Sequence, residues 1–516
     1  MAQEVELKFL IESGGLPMLD SLPLIGKRLR HARREHIETT YFDTPERLFN
    51  DHGFALRVRK HRKGRLLSLK QTGSAGIERG EWERPISGDA PTSQDISETP
   101  AAALLNGNGA GERLEPLYTV AVDRATFLVK EGMSRIEVAL DRGEIKHNGG
   151  QLPVCELELE LKRGDPRRLF ALARLFIEKA PLRLSFVSKG DRGDRLVDGS
   201  WGHPIGASTP RLTSQMTVAD AFRTICHSCL HDFMLNEPAL DQDTDIEGVH
   251  RARIAIRRLR AAFSLFRPVI ADGEYYHLRQ ELSWLSDLLG TARDFDVLQR
   301  ETFEPPIDAG HAPLGANALL AEVAERRKRA HEALHEALHS DRMRKLLLDL
   351  AHWLDRGAWS AAEKSGAQDP VLTRAGKLLD KQFKRLCRRA HHLSQAGPGE
   401  RHRIRIAAKK LRYVSEFFDS LVTGTRQRRR FKRFVRSLET IQACLGKVHD
   451  AEARSEFLEG LVNNIAGVES ANRAAITAFA AGVFTASERP KEKKLVRKAV
   501  KAFARISGRK PFLKSA

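Results

Sequence analysis

Charged side chains occupy every second position of EVELKF (residues 4–9), where Glu4, Glu6 and Lys8 alternate with apolar residues. An alternation with a period of two predicts a β-strand, and in a strand these three side chains share one face. Carboxylate oxygens are ligands of hard divalent cations, and an ammonium group binds anions. The segment therefore places groups suited to a metal ion and to an anion on the same side of one strand.

Four later segments show the same alternation and predict further strands with one charged or polar face. The side chains that share such a face are Arg57 and Arg59 in GFALRVRK (53–60), Ser68 and Lys70 in RLLSLKQT (65–72), Glu81 and Glu83 in GEWERPI (80–86), and Glu156, Glu158 and Glu160 in CELELELKRG (155–164). A solvated sheet face explains one strand of this kind. Like charges repeated over several strands destabilise one another unless an opposite charge is held between them.

A closed barrel would bring these faces together, with the apolar faces packed outward against helices and loops. Its arginines and lysines would bind phosphate oxygens, the arginines through paired hydrogen bonds. Its glutamates would hold Mg²⁺ or Mn²⁺, which prefer oxygen ligands. The chain has no Walker glycine loop, so the pattern predicts phosphate chemistry on a different scaffold.

Nearly all of residues 1–200 resembles the CYTH family of triphosphate tunnel metalloenzymes. The resemblance rests on Glu4-x-Glu6-x-Lys8, followed in order by YFDTP (41–45), ALRVR (55–59), LSLK (67–70), GEWE (80–83), LDRG (140–143), ELELELK (156–162) and SKGDRG (188–193). It implies an eight-stranded antiparallel β tunnel with flanking helices. It also implies that the protein hydrolyses or cyclises triphosphate-containing substrates with Mg²⁺ or Mn²⁺.

The same resemblance implies roles for individual residues. The triphosphate-binding cations would be Lys8, Arg57, Arg59, Lys70, Arg124, Lys189 and Arg192, and the metal carboxylates would be Glu4, Glu6, Glu158 and Glu160. Lys8, Glu4 and Glu6 would also act in catalysis. The roles of Glu81, Glu83, Glu137, Asp141 and Glu156 stay open. Gly190 follows Lys189 where family members often carry an aromatic residue, so the tunnel mouth departs from the family pattern.

Length and composition indicate a soluble protein of two or three domains. The chain has 516 residues, of which 41% are apolar and 30% charged, and no apolar run approaches the length of a membrane-spanning helix. No secretory signal is visible, and five irregularly spaced cysteines favour reduced thiols, so we expect a cytoplasmic location and no membrane partner. The net charge of +19 predicts an anionic partner.

The strand pattern ends near residue 200, and helical patterns follow it. The last helix of the first half is predicted over 165–180, with Asp165 as its cap. Residues 201–216 are rich in Gly, Pro, Ser and Thr and are predicted to form a linker. Residues 217–505 predict a helical bundle, and 506–516 a basic tail. The predicted fold class is therefore α+β, with a β domain followed by an all-α domain.

The helical half contains an internal duplication. VHRARIAIRRLRAAFSLF (249–266) returns as RHRIRIAAKKLRYVSEFF (401–418), and LGTARDFD (289–296) returns as LGKVHDAE (445–452). Two matched motifs in the same order predict two helical repeats, about 217–365 and about 370–505.

Each copy of the first motif places cations on one side of a predicted helix, and a third helix adds more. These residues are His250, Arg253, Arg257 and Arg260 in the first copy, His402, Arg405, Lys409 and Arg412 in the second, and Lys381, Lys384 and Arg388 in AGKLLDKQFKRLCRR (375–389). Cations one turn apart repel each other unless an anion of repeating charge lies along them. A solvated surface explains one such helix, whereas repetition favours a shared binding surface.

These segments resemble the CHAD family over about residues 217–505. The family is a helical domain that usually has two such repeats and binds inorganic polyphosphate, and the resemblance implies this ligand for the cations above. Nucleic acid is the rival anion. The lack of interleaved aromatic residues on the predicted exposed faces argues against single-stranded nucleic acid.

The sequence thus predicts a metal-dependent inorganic triphosphatase that converts tripolyphosphate to pyrophosphate and phosphate and carries a polyphosphate-binding helical domain. The first alternative is an adenylate cyclase, or a thiamine or nucleoside triphosphatase, of the same fold. The second is a polyphosphate-binding adaptor without enzymatic activity. The complete set of Glu and Lys residues argues against it, because a site that had lost its function should also have lost some of these charges.

Overall fold

Antiparallel strands dominate the first half of the computed structural model, which describes residues 2–61, 64–71, 78–105, 113–240, 246–303, 316–360, 366–466 and 492–508. The strands are β1 (Ala2–Ile11), β2 (Arg33–Asp43), β3 (Phe54–His61), β4 (Gly64–Gln71), β5 (Glu78–Ile86), β6 (Glu115–Glu131), β7 (Ser134–His147), β8 (Gly150–Arg163) and β9 (Leu182–Leu184). They form one sheet in the order β5-β4-β3-β2-β6-β7-β8-β1-β9. The predicted antiparallel sheet is confirmed.

Strand β1 joins three neighbours. One edge pairs with β8 through Glu6–Leu10, whereas its first residues pair with β5 and its last residues with β9. The pairing of β1 with β5 turns the sheet back on itself around its charged face. The eight-stranded barrel is not confirmed in that detail, because the sheet in the described residues has nine strands and ends on β9. This three-residue strand forms because a helix after β8 returns the chain to the open edge of β1.

The apolar faces of the strands point to the outside of the sheet, as the alternation predicts. Leu7 and Phe9 of β1 and Leu159 of β8 have at most 1% of their surface exposed. They pack in one apolar cluster with Leu169 and Phe170 of the following helix. Burial of each such side chain stabilises the fold by about 2 kcal/mol. The charged faces are therefore left on the inner side.

Seven helices lie between and after the strands in the described residues of the first half. They are α1 (Gly15–Ser21), α2 (Pro23–Arg30), α3 (Leu48–Asp51), α4 (Ser93–Ile96), α5 (Ala102–Leu105), α6 (Pro166–Ile177) and α7 (Lys189–Val197). Helix α6 begins as predicted, because the Asp165 carboxylate accepts a hydrogen bond from the Arg167 N–H at 2.9 Å and Pro166 occupies the first helical position.

The second half is helical, as predicted. Its helices are α8 (Val218–Leu240), α9 (Ile246–Ile270), α10 (Gly273–Phe303), α11 (Ala316–Leu338), α12 (Asp341–Arg356), α13 (Val371–Ala390), α14 (Pro398–Phe417), α15 (Thr425–Ala466) and α16 (Glu492–Ser507). The copies of the first motif lie on α9 and α14, and those of the second motif lie on α10 and α15. Most of the predicted basic tail lies outside the described residues. No helix within these ranges has both the length and the apolar character needed to cross a membrane.

The two halves share an apolar core and several ion pairs. The cluster that contains Phe9 of β1 also contains Phe222 of α8 and Trp353 of α12. Around it, Arg174 of α6 pairs with Asp349 at 2.6 Å. The sheet and the helices are thus packed against each other rather than only tethered.

The predicted linker, residues 201–216, is fixed to α8 by hydrogen bonds. The Ile205 N–H donates to Asn236 at 2.8 Å, and the Ser208 N–H donates to Asp232 at 3.0 Å. Asp232 also pairs at 3.1 Å with Arg258, and both side chains are 2% exposed. This part of the segment therefore has a defined position beside α8.

Candidate functional site

The inner face of the sheet surrounds a cavity of about 1310 Å³. The predicted site residues that line it are Glu6, Lys8, Arg57, Arg59, Lys70, Arg124, Glu158, Glu160 and Lys189. Glu81, Glu83, Glu137 and Asp141, whose roles the sequence left open, line it as well. The tertiary structure thus brings these charges from distant strands into one space.

Lys189, at the first position of α7, lies at the centre of an acidic group. Its Nζ atom is 2.7 Å from both Glu156 and Glu158 and 2.8 Å from Asp141. Asp141 and Glu156 have no exposed side-chain surface. Burial alone would lower the pKa of Lys189, but the three carboxylates raise it well above its usual value. The ammonium group is therefore held in its charged form.

Arg124 of β6 completes this group from the other side. Its guanidinium donates two hydrogen bonds of 2.7 Å to Asp141 and one of 2.5 Å to Glu158. Burial would raise the pKa of Glu158, but the charges of Lys189 and Arg124 hold it well below its usual range. Glu158, predicted as a metal ligand, is here bound by two cations.

Arg57 of β3 lies in a second ion-pair group. It donates to Glu81 at 2.7 Å and to the Ser68 hydroxyl at 3.1 Å. The Tyr41 hydroxyl accepts a third hydrogen bond at 3.3 Å. Burial would lower the pKa of Arg57, but Tyr41 and Glu81 raise it above its ordinary value. Lys70 lies 3.8 Å from the same Glu81 carboxylate.

Arg59 differs from the other cavity cations because its Nε atom is buried and has no hydrogen-bond partner in the described part of the chain. Burial lowers the pKa of Arg59, the positive charges of Arg57 and Arg124 lower it further, and Glu81 and Glu83 oppose this only in part. A buried guanidinium nitrogen without a hydrogen-bond partner, beside two other arginines, is costly unless an anion joins it. This guanidinium therefore marks the part of the cavity best suited to an anion.

Three carboxylates form a row across β1, β8 and β7. Glu160 lies opposite Glu6 on one side and Glu137 on the other. Burial raises the pKa of Glu160, the hydrogen bond from Lys162 opposes this, and the like charges of Glu137 and Glu6 add to the increase. Lys162 lies 2.6 Å from Glu160 and 3.2 Å from Glu137. We call Glu6, Glu137 and Glu160 the carboxylate row.

The carboxylate row fits a divalent cation by its donor type and its like charge, since Mg²⁺ and Mn²⁺ prefer oxygen ligands. Across the described residues, no three Asp, Glu, His or Cys side chains already surround a position for an ion. Glu4, predicted to belong to this set, lies on β1, but its side chain is outside the described part.

Arg192, predicted to bind triphosphate, does not line the cavity. It is 7% exposed and donates to Glu156 at 2.6 Å, and its guanidinium lies 5.7 Å from the centre of the Trp201 ring. Glu156 lies between Arg192 and Lys189. Arg192 is thus placed to support the acidic group from behind.

Two polar partners in the cavity region, Tyr41 and Lys162, were not predicted from the sequence, whereas Ser68 was placed with Lys70 on one polar strand face. Tyr41 and Ser68 bind Arg57, and Lys162 binds the carboxylate row. Ser68 and Lys162 continue alternating patterns that were already visible, whereas Tyr41 stands in the quoted YFDTP motif without a pattern that assigns it a face. Its contact with Arg57 follows from the pairing of β2 with β3.

In the helical half, the two copies of the duplicated motif form matching contacts. Arg253 lies 3.4 Å from Asp294, and its counterpart Arg405 lies 3.4 Å from Asp450. The two motif helices meet where Arg257 of α9 donates to the Tyr413 hydroxyl of α14 at 2.9 Å. The cations predicted on one side of α9 and of α14, which we call the cationic stripes, therefore lie on neighbouring helices.

The two copies differ in which of their side chains has a lowered pKa. In α9, burial and then Arg293 lower the pKa of His250 to about 4. In α14, burial and then Arg257, Arg405 and Arg253 lower the pKa of Lys409 to about 6. The pKa of His402 is lowered by burial and then by His449, whose ring centre is 4.2 Å away. In all three groups burial is the largest cause, and neighbouring cations or a histidine lower the pKa further.

The outer members of the predicted stripes have partners or face solvent. Arg260 donates to Ser286 at 2.6 Å, and Arg412 donates to Glu416 at 2.6 Å. On α13, Lys381, Lys384 and Arg388 are exposed. The α13 charges that act on α14 come from Arg385 and Arg389, which lower the pKa of Lys410 after burial.

Comparison with known proteins matches both halves of the chain. The family model of the CYTH domain matches residues 2–193, and that of the CHAD domain matches residues 224–459. The chain is a fusion of a CYTH domain with a CHAD domain, so both resemblances seen in the sequence are confirmed.

Individual relatives are more distant. An inorganic triphosphatase of Haemophilus influenzae is 30% identical over 210 residues, which cover 37% of this chain and 54% of that protein. The chain thus spans about half of the length of that relative. An uncharacterized protein of Mycobacterium tuberculosis is 24% identical over 508 residues, or 90% of each chain. The crystal structure of a CHAD domain from Ricinus communis is 28% identical, with a TM-score of 0.49, over 58% of this chain and 96% of that one.

Proposed function

We propose that the protein is a metal-dependent inorganic triphosphatase that hydrolyses tripolyphosphate to pyrophosphate and phosphate. The observation that carries this proposal is Arg59, a cavity arginine whose buried Nε atom has no partner, beside Arg57 and Arg124. A polyanion in the cavity would satisfy this group and balance its neighbours. The named relative, an inorganic triphosphatase, supports the proposal.

The cavity residues would bind the triphosphate by exchanging ion pairs. Arg57, Arg124 and Lys189 already hold carboxylate oxygens at 2.5–2.8 Å, the distances of charge-assisted hydrogen bonds. Phosphate oxygens can take the same positions, because a guanidinium recognises carboxylate and phosphate in the same way. Lys8, only 7% exposed, would add a charge beside them. The cations would then compensate the negative charge of the transferred phosphoryl group.

A divalent cation would be held by the carboxylate row, with Glu4 as a further ligand. Such an ion lowers the pKa of bound water and neutralises phosphate charge. The protein's own part is to supply three carboxylates in register and Lys162, which balances them when they hold no ion. Glu158 would act through Arg124 and Lys189, whose positions it sets.

A substrate and metal screen of the full-length chain tests this proposal. Tripolyphosphate, ATP and thiamine triphosphate are each incubated with Mg²⁺, Mn²⁺ or EDTA, and phosphate and cyclic AMP are measured. We expect phosphate release from tripolyphosphate to be the fastest reaction and to stop in EDTA. Cyclic AMP as the main product would favour a cyclase, and no turnover of any substrate would favour the adaptor.

The site assignment is tested by Lys8→Ala and Glu158→Ala in the same chain. We expect both variants to lose at least about 100-fold in kcat/KM, because each removes a charge that the reaction depends on. Glu144→Gln, on the same strand as Glu137 but not on the cavity wall, is the control. Full activity of either alanine variant would reject the assignment.

The helical half would retain inorganic polyphosphate on the stripes of α9 and α14. Arg253, Arg257 and Arg405 form a cationic group around Lys409, and after burial their charges lower the pKa of Lys409. A flexible polyanion with one charge per phosphate matches such a group better than a single carboxylate does. The exposed Lys381, Lys384 and Arg388 of α13 would extend the surface.

A further inference from the structure

The short segment between β9 and α7, residues 185–188, is hydrogen-bonded to Lys8. The Ser185 N–H donates to the backbone carbonyl of Lys8 at 2.9 Å. The Lys8 ammonium group donates to the carbonyl of Val187. The position of this segment therefore affects where the Lys8 charge lies in the cavity.

The same segment is held on its other side by helix α8 of the CHAD domain. The Phe186 N–H donates to the Met234 sulfur at 3.2 Å, and the Phe186 ring meets the His227 ring edge-on with centres 5.1 Å apart. Both partners are buried on α8. The segment is thus fixed between a strand of the CYTH domain and a helix of the CHAD domain.

Helix α8 also reaches the start of α7. The His231 Nε2 atom lies 3.5 Å from Asp191 Oδ2. That carboxylate completes a capping box at the start of α7, whose N-cap residue is Ser188, because it accepts hydrogen bonds from the Ser188 N–H at 2.7 Å and the Ser188 hydroxyl at 2.6 Å. Burial would raise the pKa of Asp191, but His231 and Ser188 lower it below its usual range. The Asp191 carboxylate is therefore held in its charged form.

Lys189 directly follows Ser188, the N-cap residue, so the capping box that Ser188 forms with Asp191 helps to position this ammonium group. Lys189 lies in the acidic group of Asp141, Glu156 and Glu158 at 2.7–2.8 Å. A small shift of the first turn of α7 would break these short contacts. One face of α8, which includes His227, Ser228 and His231, lines the same cavity as Lys189.

We propose that the CHAD domain completes the phosphate site of the CYTH domain, with His231 of α8 as a positioning residue for Lys189. The inference rests on the proposed function for its activity test. It assigns to α8 a task that is separate from polyphosphate binding on α9 and α14.

A double-mutant cycle in the full-length chain tests the inference. His231→Ala, Lys189→Ala and the double variant are compared with the unchanged chain in tripolyphosphate hydrolysis. We expect His231→Ala to lower kcat/KM by about tenfold, the usual effect of losing a hydrogen bond to a charged group. In the Lys189→Ala background the same change should have an effect of less than about twofold, because residues that act through one another are not additive. An equal loss in both backgrounds would overturn the inference.

Two further variants separate positioning from general stability. His231→Gln keeps an N–H donor and should recover most of the activity, whereas His277→Ala, exposed on α10, should not change it. No difference between His231→Ala and the unchanged chain would overturn the inference even if both hydrolyse tripolyphosphate well.

Hydrogen exchange tests the same contact without any substrate. In His231→Ala, amides of residues 188–192 should exchange at least about tenfold faster than in the unchanged chain, because the cap is weakened. If the unchanged chain hydrolyses no triphosphate, the proposed function fails while this measurement still decides the role of His231. Unchanged protection of these amides would overturn it.

Discussion

At the scale of single residues, the cavity contains arginines of two kinds: those paired with carboxylates, and one with a buried nitrogen that has no hydrogen-bond partner in the described residues. Arg57 and Arg124 are bound to carboxylates, whereas Arg59 leaves its Nε atom without a partner. In the free protein, Arg59 therefore lowers the free energy of unfolding, and contact with a bound triphosphate would compensate for this loss. Functional sites often conflict with stability in this way.

This conflict predicts opposite stability changes for two neighbouring arginines. Arg59→Met should raise the free energy of unfolding by about 1 kcal/mol, because it removes a charge that burial and like charges disfavour. Arg57→Met should lower it by about 3 kcal/mol, because it leaves Glu81 buried without its closest cation. Both should abolish hydrolysis of tripolyphosphate. Urea unfolding of the two variants measures the difference, and destabilisation by Arg59→Met would contradict it.

At the scale of elements, the duplicated helices α9 and α14 carry the same pattern with one chemical difference. Arg257 in the first copy stays charged at all accessible pH values, whereas its counterpart Lys409 has a pKa of about 6. Lys409 is thus mostly neutral at neutral pH in the free protein. A bound polyanion raises its pKa, so binding takes up a proton.

The sign of the pH dependence follows from this difference. Below a pH of about 6, Lys409 is already charged and binding needs no proton. Above it, affinity for polyphosphate should fall by up to about tenfold per pH unit, until the pKa of the bound state is reached. Calorimetric titration of polyphosphate at several pH values, in buffers of different ionisation enthalpy, measures both affinity and proton uptake.

The duplication supplies a matched pair of variants for this prediction. Lys409→Arg should flatten the pH profile, and Arg257→Lys should steepen it, because a second titratable amine then replaces a fixed charge. His402 leaves some pH dependence in both. Equal profiles for the two variants and the unchanged chain would mean that Lys409 does not contact the polyanion.

At the scale of the whole molecule, the two domains form one packed unit. The apolar core runs from β1 into α8 and α12. Glu12, just beyond β1, accepts hydrogen bonds from Arg344 at 3.0 Å and from His339 at 2.9 Å. Such an interface should transmit a loss of stability from one domain to the other.

Calorimetric unfolding should therefore show one cooperative transition for residues of both domains. Glu12→Ala leaves Arg344, which is 12% exposed, without one of its carboxylate partners and should lower the free energy of unfolding by about 2 kcal/mol. The transition should move to lower temperature without splitting. Glu144→Gln, whose partner Lys146 is 58% exposed, is the control and should change the stability by less than about 0.5 kcal/mol. Two separate transitions in the unchanged chain would contradict the prediction.

Much of the site was predictable because a strand has a strict period of two. EVELKF and CELELELKRG place Glu6, Lys8, Glu158 and Glu160 on inner faces whatever the order of the strands. The count of strands was less predictable, since β9 has only three residues and no alternation to reveal it. The position of Arg192 was also hidden, because a helix, not a strand, determines that it lies behind the cavity wall.

The amino-acid sequence alone determined the charged faces of the strands and the duplication of the helical half, and its net charge predicted an anionic partner. Only the tertiary structure decided which charged groups contact each other. Glu158 binds Lys189 and Arg124, whereas the Nε atom of Arg59 has no hydrogen-bond partner in the described residues. His231 of α8 lies beside Asp191 in the capping box of α7. The physical reason is that periodicity depends on neighbours along the chain. Partners across strands and domains depend on register and on packing, which distant residues set together.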